Sequence, residues 1–286
     1  MNNWGSGLLK ILIVGLFVSC INVVAMEQKG SDDGKNDYTL GCTYLKRNEL
    51  SAAKYAFIIA SEKGHQLAQR SLGLLYLDED NLDLAKKYLE LASQQNDTIA
   101  SYNLGDIYEL EGDISKARKY FIKSALGGYI DAHNRLGIIF AENDKDAIKA
   151  EQYFQYAADM GSLNGVSNLG FLYERLNDLK NAQEHYQFAA DKGYVPAQYR
   201  LGKLYLQLGN IIEAEKCFLW LVYKHRHVVS MFELGNICYK QSNVVQARMF
   251  YSMAAMKGHI GAQEQLTKIE NASSPDAELF ANTVIN

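Results

Sequence analysis

Residues 104–121 read LGDIYELEGDISKARKYF, and this stretch decides the fold because its key positions recur along the whole chain. A Leu-Gly pair returns every 32 or 33 residues, as Leu40-Gly41, Leu72-Gly73, Leu104-Gly105, Leu136-Gly137, Leu169-Gly170, Leu201-Gly202 and Leu234-Gly235. An alanine stands twelve or thirteen residues after each glycine. A fixed period of this length is the signature of a repeat architecture.

The positions within one copy predict two antiparallel helices joined by a short turn. Leu104, Gly105 and Tyr108 lie on one helical face, and Gly105 is expected to admit a second helix that presents Ala117 at the crossing. The predicted turn caps are Asn81, Asp113, Asp178, Asn210 and Asn243, and the glycines expected to end second helices are Gly64, Gly128, Gly161, Gly193 and Gly258. One hairpin cannot cover its own apolar face, so seven stacked hairpins predict an all-α solenoid.

These residues resemble a known family. Leu-Gly-x-x-Tyr followed by alanine nine residues later has tetratricopeptide spacing, and residues 189–202, AADKGYVPAQYRLG, resemble the junction of Sel1-like repeats. The resemblance covers residues 37–266 and implies a right-handed superhelical α-solenoid of about seven helix-turn-helix repeats. The turns are shorter than in typical Sel1-like units. Two copies have one extra residue, near Asn143–Asp146 and near His225–Val229, and His225 replaces the expected glycine.

The segments outside the repeats suggest export. Residues 1–25 are a predicted signal peptide, because the apolar run Ile11–Val18 is followed by small residues before Met26. An alternative stays open, because Phe17 to Cys20 resembles a lipobox and a lipidated Cys20 would tether the protein to a membrane. An uncleaved anchor is a third interpretation. The predicted location is periplasmic or secreted, with a membrane-anchored lipoprotein as the alternative.

Two further segments complete the predicted organisation. Residues 26–36 are a predicted flexible spacer, and residues 267–286 form a predicted C-terminal cap and tail. A capping helix is expected from Gly261 to Glu270, across the start of the C-terminal segment. The segment from Ala277 to Val284 is expected to form a last short helix or to remain loose.

Composition and motifs argue against several functions. The chain has 29 basic and 33 acidic side chains, so it lacks the basic excess that nucleic-acid binding requires. Ser51 and Lys54 match the Ser-x-x-Lys motif of penicillin-recognising enzymes, but Ala53 between them is the packing alanine and the companion motifs are missing. We therefore expect no catalytic residue, cofactor, metal or small-molecule substrate.

Histidines and cysteines carry only weak signals. His225-Arg226-His227 has metal-ligand spacing but is interpreted as an irregular turn, and His65 and His259 are expected to be exposed loop residues. Cys217 and Cys238 occupy slots that are usually aromatic. They are interpreted as small buried side chains, with a disulfide as the alternative.

In the resembled family, the first helices line a concave groove in which asparagine and basic residues hold an extended peptide. The resemblance implies a groove surface at positions three and two before each glycine and one, four and five after it. The candidate residues are Asn103, Arg135, Asn168, Arg200, Lys203, Arg175, Tyr102, Tyr199, Phe171, Phe232 and Glu109. Asp106 and Glu109 indicate that such a groove carries both charges.

The predicted function is that of a non-enzymatic exported scaffold that binds a protein or peptide partner in its groove. Two alternatives come from the resembled family. One is a membrane-tethered assembly factor for envelope polysaccharide or secretion machinery. The other is a β-lactam-binding hydrolase of the cysteine-rich Sel1-like type, although this chain lacks the regular cysteine pair of those proteins.

Overall fold

The computed structural model describes residues 33–272, in which we find fifteen α-helices and no β-strand. Seven helical hairpins are followed by a single helix. The hairpins are α1 (Lys35–Lys46) with α2 (Leu50–Glu62), α3 (Gln66–Asp78) with α4 (Leu82–Gln94), α5 (Thr98–Leu110) with α6 (Ile114–Leu126), α7 (Ile130–Glu142) with α8 (Ala147–Asp159), α9 (Leu163–Arg175) with α10 (Leu179–Asp191), α11 (Val195–Gln207) with α12 (Ile211–His225) and α13 (Val228–Lys240) with α14 (Val244–Ala255). The last helix is α15 (Ile260–Ala272). The predicted signal peptide, Cys20 and the Ala277–Val284 helix lie outside the described residues.

The chain divides into two compact units, an N-terminal unit ending at Tyr153 and a C-terminal unit beginning at Phe154. The boundary falls inside α8. Within the N-terminal unit, consecutive helices from α1 to α7 pack on each other, and within the C-terminal unit consecutive helices from α9 to α15 do the same. The buried apolar side chains form the core between them. The predicted fold class is confirmed: the chain is an all-α solenoid of helical hairpins.

The repeat glycines make room for a large side chain of the second helix. A Cβ atom on Gly105 would lie 2.5 Å from Cε1 of Phe121, whose ring is fully buried. The same position is filled by Phe57 at Gly41, Leu89 at Gly73, Tyr186 at Gly170, Phe218 at Gly202 and Tyr251 at Gly235. The side chain that fills the space over Gly105 is therefore the ring of Phe121, a contact that the sequence analysis does not predict. Ala117 is fully buried as predicted, but the nearest atoms to the glycine belong to Phe121.

Most of the predicted helix caps are confirmed. The side chains of Asn81, Asp113, Asp178 and Asn243 accept hydrogen bonds of 3.0 to 3.3 Å from the amide three residues later. Asn210, predicted to do the same, makes no side-chain cap bond. The glycines that end the second helices are all left-handed, with φ between +83° and +89°, at Gly64, Gly128, Gly161, Gly193 and Gly258.

At the irregular junction His225–Val229, the left-handed residue lies one position later than the sequence analysis predicts. Helix α12 continues through His225, and the left-handed residue is Arg226, with φ +50°. Arg226, rather than His225, therefore takes the left-handed conformation that glycine supplies at five other junctions and Asn96 at the end of α4. Helix α12 has 15 residues, whereas the second helices of the preceding hairpins have 13, so the extra residue accounts for only one of the two additional positions.

Candidate functional site

In the N-terminal unit, Arg135 is already engaged by two carboxylates. Its Nη2 donates a hydrogen bond of 2.6 Å to Oε2 of Glu109, and its Nε lies 3.4 Å from Oδ1 of Asp106. The guanidinium also lies over the Phe121 ring, 5.7 Å from its centroid. These contacts hold Arg135 of α7 against α5. The positive charge of the guanidinium is therefore already paired with the carboxylates of Glu109 and Asp106.

The carboxyl group of Asp106 has an unusual proton affinity. Burial raises its pKa to about 7, and the nearby charges of Glu109 and Asp131 act in the same direction. The Arg135 guanidinium opposes this rise without cancelling it. Asp106 therefore changes its charge near neutral pH, at the surface that the sequence analysis predicts to be the groove.

We expect Asp106→Asn to remove a pH dependence of stability. Because the pKa of Asp106 is higher in the folded chain than the value of 3.8 taken for an unperturbed aspartate, the folded state keeps its proton longer as the pH rises. Wild-type stability should therefore fall by roughly 2 to 3 kcal/mol between about pH 5 and pH 8 relative to the variant. Urea unfolding of both proteins at several pH values measures this difference, and parallel curves would contradict it.

Two other predicted groove residues of this unit are held by packing. The ring of Tyr102 contacts Phe121 and Tyr129, with centroid distances of 5.5 and 4.9 Å, and burial raises the pKa of its hydroxyl. Asn103 is buried, and its amide donates a 2.7 Å hydrogen bond to the carbonyl of Ile99 in the same helix.

A pairing rule connects successive repeats. At five junctions the residue three before the glycine meets the residue that caps the next first helix, and in four of them both residues are rings. The centroid distances are 4.7 Å for Tyr38–His65, 4.9 Å for Tyr102–Tyr129, 5.5 Å for Tyr199–His227 and 4.4 Å for Phe232–His259. In the second repeat the same two positions hold Arg70 and Asp97, which form a buried ion pair of 3.1 Å.

The expectation that His65 and His259 are exposed loop residues was therefore wrong. Both are half-buried helix caps, whose Nδ1 atoms accept from the amides of Ala68 and Ala262 at 3.3 and 3.1 Å. The sequence signal that the analysis missed is the spacing of 27 or 28 residues between the two paired positions.

In the C-terminal unit, two arginines lie on one ring. The guanidinium carbons of Arg200 and Arg175 lie 4.4 and 5.9 Å from the centroid of Phe171, which is half-buried in α9. Arg200 is also close to the hydroxyl of Tyr186, which donates a 2.7 Å hydrogen bond to Glu174. These three predicted residues form one stacked cluster. Asn168 lies half-buried in the same helix as Phe171.

Glu233 is the centre of a polar network that the sequence analysis did not single out. Its carboxylate accepts from Lys203 at 2.9 Å, from the hydroxyl of Tyr199 at 3.3 Å and from the amide of Asn236 at 3.3 Å. The hydroxyl of Tyr251 donates to Asn236 at 2.9 Å. Burial, with the neighbouring Glu233 charge, raises the pKa of Tyr199 to about 12, so its hydroxyl stays a donor.

This network borders a cleft of about 750 Å³ in the C-terminal unit. Its lining is Glu174, Lys203, Leu206, Gln207, Ile211, Glu233, Asn236, Ile237, Tyr239, Lys240, Gln241, Tyr251 and Gln265. Most of these residues stand two before or one, four or five after a repeat glycine, where the groove surface was predicted. Of the named candidates, only Lys203 lines the cleft. The groove assignment of the others stays a prediction.

The residues considered for catalysis, disulfide formation or metal binding have structural roles or lack the required partners among the described residues. Lys54 donates to both oxygens of Glu79 at 2.7 Å, and its Nζ lies 5.2 Å from the centroid of the Tyr76 ring. Cys217 and Cys238 are separate buried thiols, so the disulfide interpretation was wrong. Within residues 33–272, we find no cluster of three potential metal ligands. Over the same range, no helix is both long and apolar enough to cross a lipid bilayer.

The hairpins and the glycine–ring contacts define a helical-repeat protein of the α-solenoid class. Tetratricopeptide repeat models match residues 72–132 and 195–219. The Sel1 repeat model matches residues 130–162, 167–194 and 228–259. The chain is therefore built largely from tetratricopeptide and Sel1 repeats, as the resemblance implied.

Solved structures share this fold. A protective antigen of uropathogenic Escherichia coli with an SLR fold is 21% identical, with a TM-score of 0.62 over 93% of this chain and 68% of that one. A Sel1 repeat protein from Oxalobacter formigenes is 24% identical, with a TM-score of 0.61 over 76% of this chain and 98% of that one. PilW, a widely conserved type IV pilus biogenesis factor, is 15% identical, with a TM-score of 0.57 over 70% and 98%. No curated protein matches the sequence.

Proposed function

We propose that the chain is a non-enzymatic scaffold that binds an extended segment of a protein partner in the cleft of the C-terminal unit. The observation that carries this proposal is the cleft itself, because three successive first helices, α9, α11 and α13, contribute side chains to it. Sel1 and tetratricopeptide repeats form scaffold folds suited to protein interaction, and this supports the proposal without naming a partner.

The chemistry of the cleft suits a peptide better than a uniformly charged ligand. Its lining carries both carboxylates and ammonium groups, together with the amides of Gln207, Asn236 and Gln241. The last two amides donate to Glu233 and Glu215. Amide side chains both donate and accept hydrogen bonds, as an extended peptide backbone requires. Tyr239 is about half exposed at the wall, and tyrosine is enriched among the residues that anchor binding partners.

The test uses the full chain and peptides selected on it from a displayed random library. Tyr239→Ala combined with Lys240→Glu is expected to weaken the binding of the selected peptides by at least about tenfold. The variant removes an aromatic anchor and reverses one charge at the cleft. Fluorescence anisotropy measures the affinity, and both side chains are exposed, so the melting temperature should not change.

Tyr55→Ala is the matched control, because Tyr55 is also an exposed tyrosine but lies in α2, away from the cleft lining. Unchanged affinity in the cleft variant, or an equal loss in the control, would contradict the proposal.

Export is part of the proposal and is supported by the apolar run Ile11–Val18 and the small residues before Met26. A lipidated Cys20 would make the scaffold membrane-tethered, as an assembly factor for envelope or secretion machinery requires. Mass spectrometry of the mature N-terminus distinguishes these forms, because cleavage leaves Met26 free whereas tethering leaves a lipid on Cys20. The hydrolase alternative lacks support, since Lys54 is bound to Glu79.

A further inference from the structure

The segment Cys217–Gln263 is basic within an acidic chain. It contains a single carboxylate, Glu233, whereas the whole protein has a formal net charge of −4. Glu233 is bound by Lys203, Tyr199 and Asn236 beside the cleft. The basic residues of the segment are Lys224, Arg226, Lys240, Arg248 and Lys257. Apart from Lys240, which lines the cleft, these cations belong to the second helices and their ends.

Helix α14 presents an apolar stripe to solvent. Val245, Met249 and Met256 follow one another at intervals of four and seven residues and therefore share one helical face. Val245 is 81% exposed and Met256 is 87% exposed. Arg248 lies on the same face, and Lys257 follows directly after Met256. The core side of the helix is formed by Ala247, Phe250, Tyr251 and Ala254, which are all buried.

The end of α12 repeats this arrangement one repeat earlier. Tyr223 stands 33 residues before Met256, at the equivalent repeat position, and is 80% exposed. Lys224 follows it with Nζ 5.3 Å from the centroid of the Trp220 ring, and Arg226 is exposed. We use the name outer patch for Tyr223, Lys224, Arg226, Val245, Arg248, Met249, Met256 and Lys257. Among the described residues, no carboxylate forms an ion pair with the four cations of the outer patch.

We propose that the outer patch docks the protein on an anionic lipid surface. Transfer of exposed methionine, valine and tyrosine side chains from water into the boundary between headgroups and acyl chains is favourable. Lysine and arginine beside them attract anionic headgroups, and tyrosine is favoured at that boundary. A nucleic acid would engage the cations but would leave the methionine stripe in water, so charge and apolarity together favour lipid. The outer patch is distinct from the cleft and does not require a lipid on Cys20.

Methionine oxidation gives a local measurement on the full chain. Met249 and Met256 are exposed and should react rapidly with dilute peroxide, which peptide mass spectrometry can follow residue by residue. Vesicles in which about a third of the lipid is phosphatidylserine should slow this oxidation several-fold, whereas neutral phosphatidylcholine vesicles should not. Met160 is the internal control, because it is exposed in the same unit but follows Asp159 and lies outside the outer patch.

Variants test the electrostatic part. Arg248→Gln with Lys257→Gln should weaken binding to the anionic vesicles by about 25-fold, since each cation near the surface contributes roughly fivefold. Protection of Met256 should fall accordingly, with an unchanged melting temperature as evidence that the variant folds. Equal protection of Met160, protection by neutral vesicles, or full protection in the double variant would overturn the proposal. So would protection that appears without vesicles as the protein concentration rises, because that would identify a second copy as the occupant.

Discussion

Phe121→Ala is expected to lower the free energy of unfolding by about 3 to 5 kcal/mol, since it removes a fully buried ring. The ring fills the space over Gly105, contacts Tyr102 and lies under the Arg135 guanidinium. Its loss therefore affects α5, α6 and α7 together. Urea unfolding followed by circular dichroism measures the change, and a loss below about 1 kcal/mol would contradict the role given to the ring.

Gly105→Ala provides a sharper test. It should destabilise the wild-type chain but stabilise the Phe121→Ala variant. In the wild-type chain the new Cβ would lie 2.5 Å from Phe121, and such overpacking destabilises by about 1 to 3 kcal/mol. In the Phe121→Ala background the obstacle is gone, and the higher helix propensity of alanine should stabilise by up to about 1 kcal/mol.

Gly261→Ala is the control for helix propensity. Its Cβ would meet neighbours only at 3.4 Å and beyond, so this substitution should be neutral or slightly stabilising in either background. If Gly105→Ala had the same effect with and without Phe121, the glycine–ring contact would not explain the recurring glycine.

The sequence predicts positions along the repeat better than it predicts contacts between repeats. The period identifies Gly105 and Ala117 as buried, and both are. It does not say that Phe121 is the side chain that meets the glycine, because Ala117, Tyr120 and Phe121 all follow within one helix. That choice depends on how two helices are rotated against each other, which a single-helix pattern does not contain.

The same limit explains the candidate groove residues. Arg200 and Phe171 stand 29 residues apart and meet only because neighbouring first helices lie side by side. Read alone, each is a plausible ligand contact, whereas together they stack on each other. Glu233 occupies the repeat position that holds asparagine or arginine in the four preceding repeats, and that pattern does not predict an acid there. The positions that face the cleft were thus predictable, but the residues left available there were not.

The buried ion pair between Arg70 and Asp97 is expected to be replaceable by a pair of rings, but only when both residues change. Asp97 is 5% exposed, so Arg70→Tyr alone leaves its carboxylate buried without its guanidinium partner. Removal of one partner from such a pair lowers stability by about 3 to 5 kcal/mol. Asp97→His alone should also destabilise, because the arginine is then the buried charge without its carboxylate.

The double variant should regain most of the lost stability, because it recreates the Tyr38–His65 pair at equivalent positions of the next repeat. The new histidine can also keep the helix cap, since His65 accepts from Ala68 as Asp97 accepts from Ala100. We expect a favourable coupling of at least about 2 kcal/mol in a double-mutant cycle measured by urea unfolding.

The control for this cycle joins two positions that the pairing rule does not connect. Arg70→Tyr with Asp113→His places the same residue types at a helix cap in a different turn, and its effects should add within about 0.5 kcal/mol. Additive effects in the Arg70–Asp97 cycle as well would mean that the two residues stabilise the chain independently. The ring pairs at the other junctions would then be a consequence of composition, and the spacing of 27 or 28 residues would carry no information about which repeats can stack.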